Sequence, residues 1–539
     1  MGYKEANKYH KVSGEGRRGC ARVCTKRRAW ISVSAGVALL IFLCLYVNLW
    51  SGSDTHNFLK ALHLSHSDSK SQKDALWPIQ SNQFVNIYDG DFVLVKELDS
   101  TQEVSAQQAG ASNKTQTCQP FYISGWNSWD IARVARILPR NHKTVSNLTG
   151  KKALQKHFAK AAAAGLNVVR AWAHTVDPMY QVMKSPGKYD ESGLRAIDFM
   201  LYEARKRGIR VILSFVDNWK YKGGVDEMVD FSESAPKRTF KRPSDDDDDF
   251  SQVAMNETLK EYEVRRHTLF FTDSDSKKIY RDHVQTLINR RNHYSGILYK
   301  DDPTIFAWNL INEPRCESWL VDDCEVFLQN WIREMSLYVK KLDPNHLVTI
   351  GSEGFYARDY VGKDEESKLD ESFVIDDINP ASWAAQTGQD FVANHMLDSI
   401  DFATVHLWPD NWNQSSHSFQ TKWIDSHVEV ARTKLHKPII VQEFGKKEDP
   451  AEKDSKERDE VFQLVENVVE GSALEKGELK GSLFWNWEID LLVGAKEDPY
   501  TLEEGDSTFE LVNAHALKMH NLSQSQIYRC DDFELTPLV

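Results

Sequence analysis

From about residue 118 onward, short apolar runs alternate with amphipathic stretches. The runs Asn167–Trp172 (NVVRAW), Arg210–Val216 (RVILSFV), Thr304–Ile311 (TIFAWNLI), Leu347–Ile350, Phe402–Leu407, Pro438–Phe444 and Gly481–Trp487 read as strands. Runs this apolar suit strands of a parallel sheet covered on both faces. Between them, Lys151–Ala164, Glu191–Arg207, Ser276–Arg291 and Glu325–Leu342 read as helices. In the second of these, Leu194, Ile197, Leu201 and Ala204 share one helical face, and Gly208 stands at the end as a stop signal. A long series of such units predicts an α/β fold, a (β/α)8 TIM barrel with loop insertions. The alternative is a doubly wound open sheet. Its dinucleotide-binding form is weakened because no G-x-G-x-x-G follows the first strand.

Ahead of the barrel, Phe84–Tyr88 and Phe92–Lys96 flank Asp89-Gly90, which predicts a short β-hairpin. Earlier still, Trp30–Trp50 is 21 residues without a charge. About 20 apolar residues span a bilayer as a helix, and Trp at each end suits the interfacial belts. Lys26-Arg27-Arg28 precede the run and Asp54 follows it, so the positive-inside rule puts the N-terminus in the cytoplasm. The organisation expected is a basic cytoplasmic tail at 1–29, a transmembrane signal-anchor helix at 30–50, a polar stalk at 51–80 and a catalytic domain at 81–539. A cleaved signal peptide is the rival; the long region before the run and the lack of a clear A-x-A-like site count against it. Within the domain, residues 234–262 with Asp245–Asp249 in a row read as a solvated loop, because like charges repel.

Charge sharpens this division. Residues 1–50 carry nine Lys/Arg and two Glu, a net +7, which leaves −20 for the rest of a chain of 539 residues whose total is −13. An acidic body argues against nucleic acid as the main partner, since phosphate binding needs clustered cations. Five N-x-[ST] sequons begin at Asn113, Asn147, Asn256, Asn413 and Asn521, all beyond the span. Four of seven cysteines, Cys118, Cys316, Cys324 and Cys530, also lie beyond it. An even number in an oxidising compartment allows three pairings. Cys316 and Cys324 are close enough for a local bridge, and Cys118 with Cys530 would then tie the ends of the domain. Sixteen Trp suggest a stacking surface for a flat ligand as well as a core.

In a barrel, reactive residues sit at the C-terminal ends of strands. The run TIFAWNLI ends in Asn312-Glu313-Pro314-Arg315, and PIIVQEF carries Glu443. Other strand ends carry Arg170 with Trp172, His406 with Trp408, and Trp485 with Trp487. A carboxylate at the end of an apolar strand is costly unless paired or used. Two of them, with Asn, His, Arg and Trp at neighbouring ends, are what glycoside hydrolysis needs: one carboxyl protonates the leaving oxygen and the other attacks the anomeric carbon or activates water.

The stretch YKDDPTIFAWNLINEPRC (Tyr299–Cys316) resembles the acid/base segment of endo-β-1,4-mannanases in glycoside hydrolase family 5. The resemblance extends over about residues 82–525, through FYISGWNSWD, GLNVVRAWAHT, SFVDNWKYKGGVDEMV, FFTDSDSKKIYRDHV, EGFY, VHLWPDNW, VQEFG and GSLFW, and is to the plant-like branch. It implies that Glu313 is the general acid/base and Glu443 the nucleophile. Asn312 matches the residue that hydrogen-bonds the sugar 2-OH, Arg170 would hold Glu443 ionised, and His406 matches the family histidine near the site. Trp485 matches the aromatic floor of the reacting subsite, and Trp126, Asn218 and Trp219 fall in segments that line the cleft. Trp408, counted with the substrate-binding residues, stands where the family usually has a Tyr whose hydroxyl bonds the nucleophile. Trp172 and Trp308 lie within apolar strands and read as packing.

The resemblance implies retaining endo-hydrolysis of β-1,4-mannosidic linkages in mannan, glucomannan or galactomannan, with carboxyl groups about 5–5.5 Å apart. Glu313 is then expected to have a raised pKa, from partial burial and the nearby Glu443. No metal or other cofactor is expected. The partners expected are the polysaccharide and, through one helix, a membrane of the secretory pathway; the oligomeric state is not fixed. The alternatives are a retaining β-glycanase or transglycosylase acting on another β-linked polysaccharide, and an inactive membrane-anchored carbohydrate-binding protein.

Overall fold

Eight strands, every one of them buried along its whole length, form the centre of the protein. In this computed structural model the described residues are 79–97, 116–137, 149–175, 177–240, 256–357, 378–448, 455–487, 489 and 498–530. The strands are β1 (Ile123–Ser128), β2 (Val168–Trp172), β3 (Arg210–Ser214), β4 (Ile305–Asn309), β5 (Leu347–Thr349), β6 (Ala403–Leu407), β7 (Ile439–Phe444) and β8 (Leu479–Phe484). All pair in parallel, β5-β4-β3-β2-β1-β8-β7-β6. The β5–β6 gap is bridged by Asp401 N–H to Val348 O at 2.9 Å and Thr349 Oγ1–H to Phe402 O at 3.0 Å. The result is a (β/α)8 barrel.

Helices follow the strands in turn: α1 (Gly150–Ala163), α2 (Glu191–Arg205), α3 (Ser274–Ile288), α4 (Cys324–Leu342), the short α5 (Phe391–His395), α6 (His417–Val430), α7 (Lys456–Glu475) and α8 (Ser507–Ser525). Their starts are set by local chemistry. The side chains of Thr149, Asp190, Asp273 and Ser416 accept from backbone N–H groups that the first turns leave unpaired. Two further helices, Val225–Phe231 and Glu257–Thr272, stand between β3 and α3 on either side of the acidic insertion. The run Asp245–Asp249 lies outside the described residues.

The predicted hairpin forms as Val85–Tyr88 and Asp91–Glu97, turning through Asp89 and Gly90. It extends to four antiparallel strands with Gln116–Pro120 and Tyr528–Arg529. This sheet closes the N-terminal mouth of the barrel. Phe92 enters the lumen and meets Phe306 and Phe402 edge-on at 5.1 and 5.2 Å, in one apolar layer with Ile123, Val168, Leu347 and Ile440. The lumen is thus filled from below and open chemistry is confined to the other end. The Cys118–Cys530 disulfide staples this sheet, joining positions 412 residues apart. Cys316–Cys324 ties the segment after β4 to the first turn of α4. Among the three possible pairings, the structure has the local one with the long one.

The expected membrane span at 30–50 and the stalk at 51–80, up to residue 78, lie outside the described residues, and no described helix is long and apolar enough to cross a membrane. All described residues belong to one unit, Ala75–Val539. Sequons Asn113 and Asn147 are outside the described residues, whereas Asn256, Asn413 and Asn521 are exposed.

Candidate active site

At the C-terminal end of the barrel the segment after β4 is tied into both neighbouring strands. Asn312 N–H donates to Val216 O at 3.0 Å, and Glu313 N–H to Gly351 O at 2.8 Å. These bonds hold Glu313 at φ +47, a left-handed conformation that a residue with a Cβ adopts only at a cost of roughly 1–3 kcal/mol. Gly351 itself has φ +92, and a Cβ there would come within 2.4 Å of Ile311 O and 2.3 Å of Asn309 Nδ2. The glycine lets β5 approach closely enough to support Glu313.

On the facing side, β6 and β7 slip register so that His406 pairs with Glu443 and Gln442 is the extra residue. Such a bulge re-aims side chains. It brings His406 Nδ1 to 2.6 Å from Glu313 Oε1 and 3.6 Å from Glu443 Oε2. Glu313, His406 and Glu443 each place one donor atom within 4.8 Å of the others. Glu313 Oε2 also accepts from Trp219 Nε1–H at 2.5 Å.

Arg170 organises the floor between them. It is fully buried, and one NH group pairs with Glu443 Oε1. The same group reaches Asn127 Oδ1 at 3.1 Å, while Nε donates to Asn309 Oδ1 at 2.9 Å and the other NH to Asn312 Oδ1 at 2.6 Å. The guanidinium therefore fixes Glu443 and Asn312 at once. Asn312 turns its amide NH₂ toward Asp217 Oδ1 at 3.3 Å, so its orientation is set from both ends. Asp217 also accepts from Trp172 Nε1–H at 3.1 Å and Trp219 N–H at 2.9 Å.

Burial raises Glu443 to about 7; His406 and Arg170 pull it down and Glu313 pushes it up. Glu313 lies below its ordinary value, because the opposing pull of burial is outweighed by His406, Arg315 and Trp219. His406 is raised: burial would lower it, but Glu443 and Glu313 favour its charged form. This reverses the raised Glu313 pKa expected from the sequence. The physical reason is the direct contact of His406 and Trp219 with Glu313.

Several expected residues meet here: Glu313, Glu443, Asn312, Arg170, His406 and Trp219. Asn218 is buried, accepting from Arg315 N–H at 3.0 Å and lying 2.9 Å from His267 Nε2, so its oxygen is occupied. Trp485 is partly buried, edge-on to Trp172 at 5.9 Å, and its Nε1–H donates to Asp498 at 3.1 Å. Trp408 packs edge-on between Trp485 at 5.8 Å and Tyr500 at 5.0 Å. Among the described residues, no hydrogen bond runs from Trp408 to Glu443; His406 Nδ1 lies 3.6 Å from Glu443 Oε2.

Trp126 is a correction. It is fully buried outside the barrel wall against His157, Phe158 and Trp487, so it does not line the cleft. Strand parity is the reason: Ile123 and Asn127 point into the lumen, so Trp126 between them points out. Trp308 is packing, stacked on Phe215 at 5.1 Å. Trp172 is buried too, but Arg170 lies 4.6 Å over its ring, which makes it part of the floor. Asn127, Asn309, Asp217, Glu353 and Asp498 are supporting residues that the sequence pattern does not single out. For the first four the one signal is position at or a few residues beyond a strand end; Asp498 lies well past β8 and has none.

Among the described residues, Glu313, His406 and Glu443 are the one group of three that could hold a metal ion. The donors are already engaged by Arg170 and Trp219, and a guanidinium against Glu443 repels a cation.

A (β/α)8 barrel with paired carboxylates, an asparagine and a histidine at its C-terminal face defines the class of two-carboxylate glycosidases. Sequence comparison narrows this. A family profile described as GH family 5 beta-mannosidase-like matches residues 106–492. Mannan endo-1,4-beta-mannosidase 7 of Arabidopsis thaliana is 36% identical over 407 residues, covering 74% of this chain and 82% of that one. Mannan endo-1,4-beta-mannosidase 2 of Oryza sativa subsp. japonica is 35% identical over 417 residues, covering 76% and 81%. The solved hyperthermostable endo-1,4-beta-D-mannanase of Thermotoga petrophila RKU-1 superposes with a TM-score of 0.54 at 25% identity, covering 74% of this chain and 99% of that one. The chain belongs to the β-mannosidase-like branch of glycoside hydrolase family 5.

Proposed function

We propose that the protein is an endo-β-1,4-mannanase that hydrolyses internal linkages of mannan, glucomannan or galactomannan with retention. The observation that carries this reading is the Glu313–His406–Glu443 cluster, whose donor atoms lie within 4.8 Å of one another. Retaining glycosidases separate their carboxyl groups by about 5–5.5 Å, whereas inverting ones need about 6.5–9.5 Å to admit water. The relatives named for mannan endo-hydrolysis support the choice of sugar.

In the reaction, Glu443 attacks the anomeric carbon and Glu313 gives its proton to the departing oxygen. A covalent mannosyl-enzyme forms; Glu313 then takes a proton from water, whose oxygen displaces Glu443. Arg170 favours the ionised Glu443 on which attack depends. With one Asn312 carbonyl lone pair held by Arg170 and its amide turned to Asp217, the remaining amide hydrogen is free to meet the 2-OH. Trp485 supplies the apolar floor beneath the reacting sugar.

The proton needed by Glu313 is shared in the empty site. Burial holds a proton on Glu443 below about 7, and the two carboxyl groups beside His406 favour its charged form, so both neighbours of Glu313 carry exchangeable protons. Moving one of these to Glu313 as sugar enters gives the productive form, a protonated acid facing an ionised nucleophile. Above about 7 the site loses that proton. kcat/KM is therefore expected to fall as pH rises through about 7, and the pH–rate profile of the free enzyme checks it. A level profile from pH 6 to roughly 9 would sink the shared-proton account.

We also place the catalytic domain on the lumenal or outer side of a membrane, held by the 30–50 segment. The 21 uncharged residues with a basic leading flank support this, as do two formed disulfides and three exposed sequons.

The experiment is reducing-end release by the full-length chain, made in a secretory host, from mannan, glucomannan, cellulose and β-glucan. Release is expected from the two mannose-containing polymers. Release from glucans alone would keep the mechanism and discard the sugar. No release by the folded, glycosylated protein would favour a carbohydrate-binding role.

A further inference from the structure

An exposed indole stands at the outer end of the Glu313 side of the cleft. Trp383, between β5 and α5, is 36% exposed. Its ring lies edge-on to Phe355 at 5.1 Å and 5.2 Å from the Arg315 guanidinium. Arg315 in turn lies 4.7 Å from the Trp219 ring, and Trp219 donates to Glu313. A row of flat groups thus leads from Glu313 outward through Trp219 and Arg315 to Trp383.

The row is rigid at its middle. Arg315 makes two parallel bonds to the buried Glu353, at 2.8 and 2.5 Å, and Gln389 Nε2–H donates to the same carboxylate at 2.9 Å. Trp383 therefore rests on a guanidinium that cannot swing away. Among the described residues, the other tryptophan as exposed as this, Trp319, has its indole N–H engaged by its neighbour Glu317 at 2.9 Å and carries Lys260 over its ring at 5.1 Å. Among the described residues, no lysine covers Trp383 in that way; its one cation is Arg315, which lies on the Glu313 side. Trp485 lies in the opposite quarter, among Trp172, Trp408 and Asp498 beside Glu443. If the reacting sugar lies over Trp485, as the mannanase reading has it, the row from Glu313 to Trp383 lies on the side of the departing sugar.

We propose that Trp383 is the outer stacking platform of the leaving-group side, and that it also holds the acceptor when the glycosyl-enzyme is captured by a second sugar chain instead of water. This rests on the mannanase reading. In that transfer the acceptor hydroxyl oxygen attacks the anomeric carbon, its proton goes to Glu313, and the bond to Glu443 breaks with its electron pair returning to the carboxylate. An aromatic face accepts the apolar C–H face of a pyranose without reading its hydroxyls, so the platform sets chain length and acceptor capture while leaving the choice of sugar to the inner site.

Full-length wild type, Trp383→Ala and Trp383→Tyr are compared on mannohexaose. In Trp383→Ala the ratio of transfer to hydrolysis products and the kcat/KM are each expected to fall roughly tenfold, with the cleavage position shifting along the oligosaccharide; Trp383→Tyr restores both. An unchanged product pattern in Trp383→Ala overturns the proposal while leaving the mannanase reading intact. Equal losses in both variants, with lowered thermal stability, also overturn it, because a stacking face is retained in one of them. Binding of mannohexaose, measured by calorimetry in the Glu443→Ala background, gives a readout independent of turnover. Trp383→Ala is expected to weaken it roughly tenfold, and equal affinity overturns the proposal. If the wild type neither cleaves nor binds mannohexaose, the mannanase reading falls and the proposal falls with it.

Discussion

Glu443→Ala is expected to lower kcat on mannan by roughly five orders of magnitude, and Glu313→Ala by roughly two to four. The difference follows from what each carboxyl does. Without Glu443 no covalent bond to the sugar forms and the pathway is closed. Without Glu313 the outcome depends on the leaving group. A mannan chain departs as an alkoxide unless protonated, so the first step stalls. An aryl mannoside with an acidic phenol departs without help, so the first step survives and the glycosyl-enzyme accumulates, visible as a burst. Azide then separates the roles. It is a nucleophile that needs no general base, so it rescues Glu313→Ala by attacking the glycosyl-enzyme and gives a β-azide with two inversions. In Glu443→Ala it occupies the vacated space, attacks directly and gives an α-azide with one. The two product configurations, read by NMR, decide the assignment independently of the ligand-free protonation, in which Glu443 is raised to about 7 and Glu313 is lowered. If the products are exchanged between the variants, the roles are exchanged too.

Much of this geometry is legible in the amino-acid sequence, for a simple reason. Buried parallel strands are apolar on both faces, so their ends stand out wherever a charged residue interrupts the run. That is how Glu313, Glu443, Arg170 and His406 declare themselves. β1 (ISGWNS) has no apolar run, because Gly125 lies flat against Val168 and Asn127 reaches Arg170, so its pattern does not mark it as a strand. The failure at Trp126 has the same root. A strand's period of two fixes which residues share a face, but not which face is the lumen. The phase comes from Asn127, whose bond to Arg170 only the folded barrel reveals. Supporting groups such as Asp217 and Asp498 are invisible for another reason. Each acts through a neighbour's orientation, and no one-dimensional pattern records that. The raised and lowered carboxyls belong here as well, because they depend on a one-residue slip between β6 and β7 that puts His406 on Glu313.

Arg170→Ala is expected to damage both stability and catalysis. Glu443 is 3% exposed on its side chain, and its ion pair with Arg170 is fully enclosed. Removing one partner of a buried pair leaves the other charge unpaired, at a cost of about 3–5 kcal/mol. Here Asn127, Asn309 and Asn312 also lose their donor, which leaves their amide oxygens unsatisfied and adds to that cost. The variant relieves part of the penalty by keeping Glu443 protonated, so its carboxyl moves up from about 7. A protonated Glu443 is not a nucleophile, and an untethered Asn312 no longer orients the 2-OH. kcat/KM at neutral pH is therefore expected to fall a hundredfold or more, by roughly 1.4 kcal/mol per decade. Arg170→Lys separates the contributions. Its ammonium still favours the ionised Glu443 but cannot reach three asparagines and a carboxylate from one planar fork. It is expected to bring the pH profile back toward that of the wild type while most of the loss in kcat remains. Calorimetric unfolding together with pH profiles of both variants makes the distinction. If Arg170→Ala lost stability but kept its kcat and pH profile, Arg170 would be a packing residue and Glu443 would have another source of its charge.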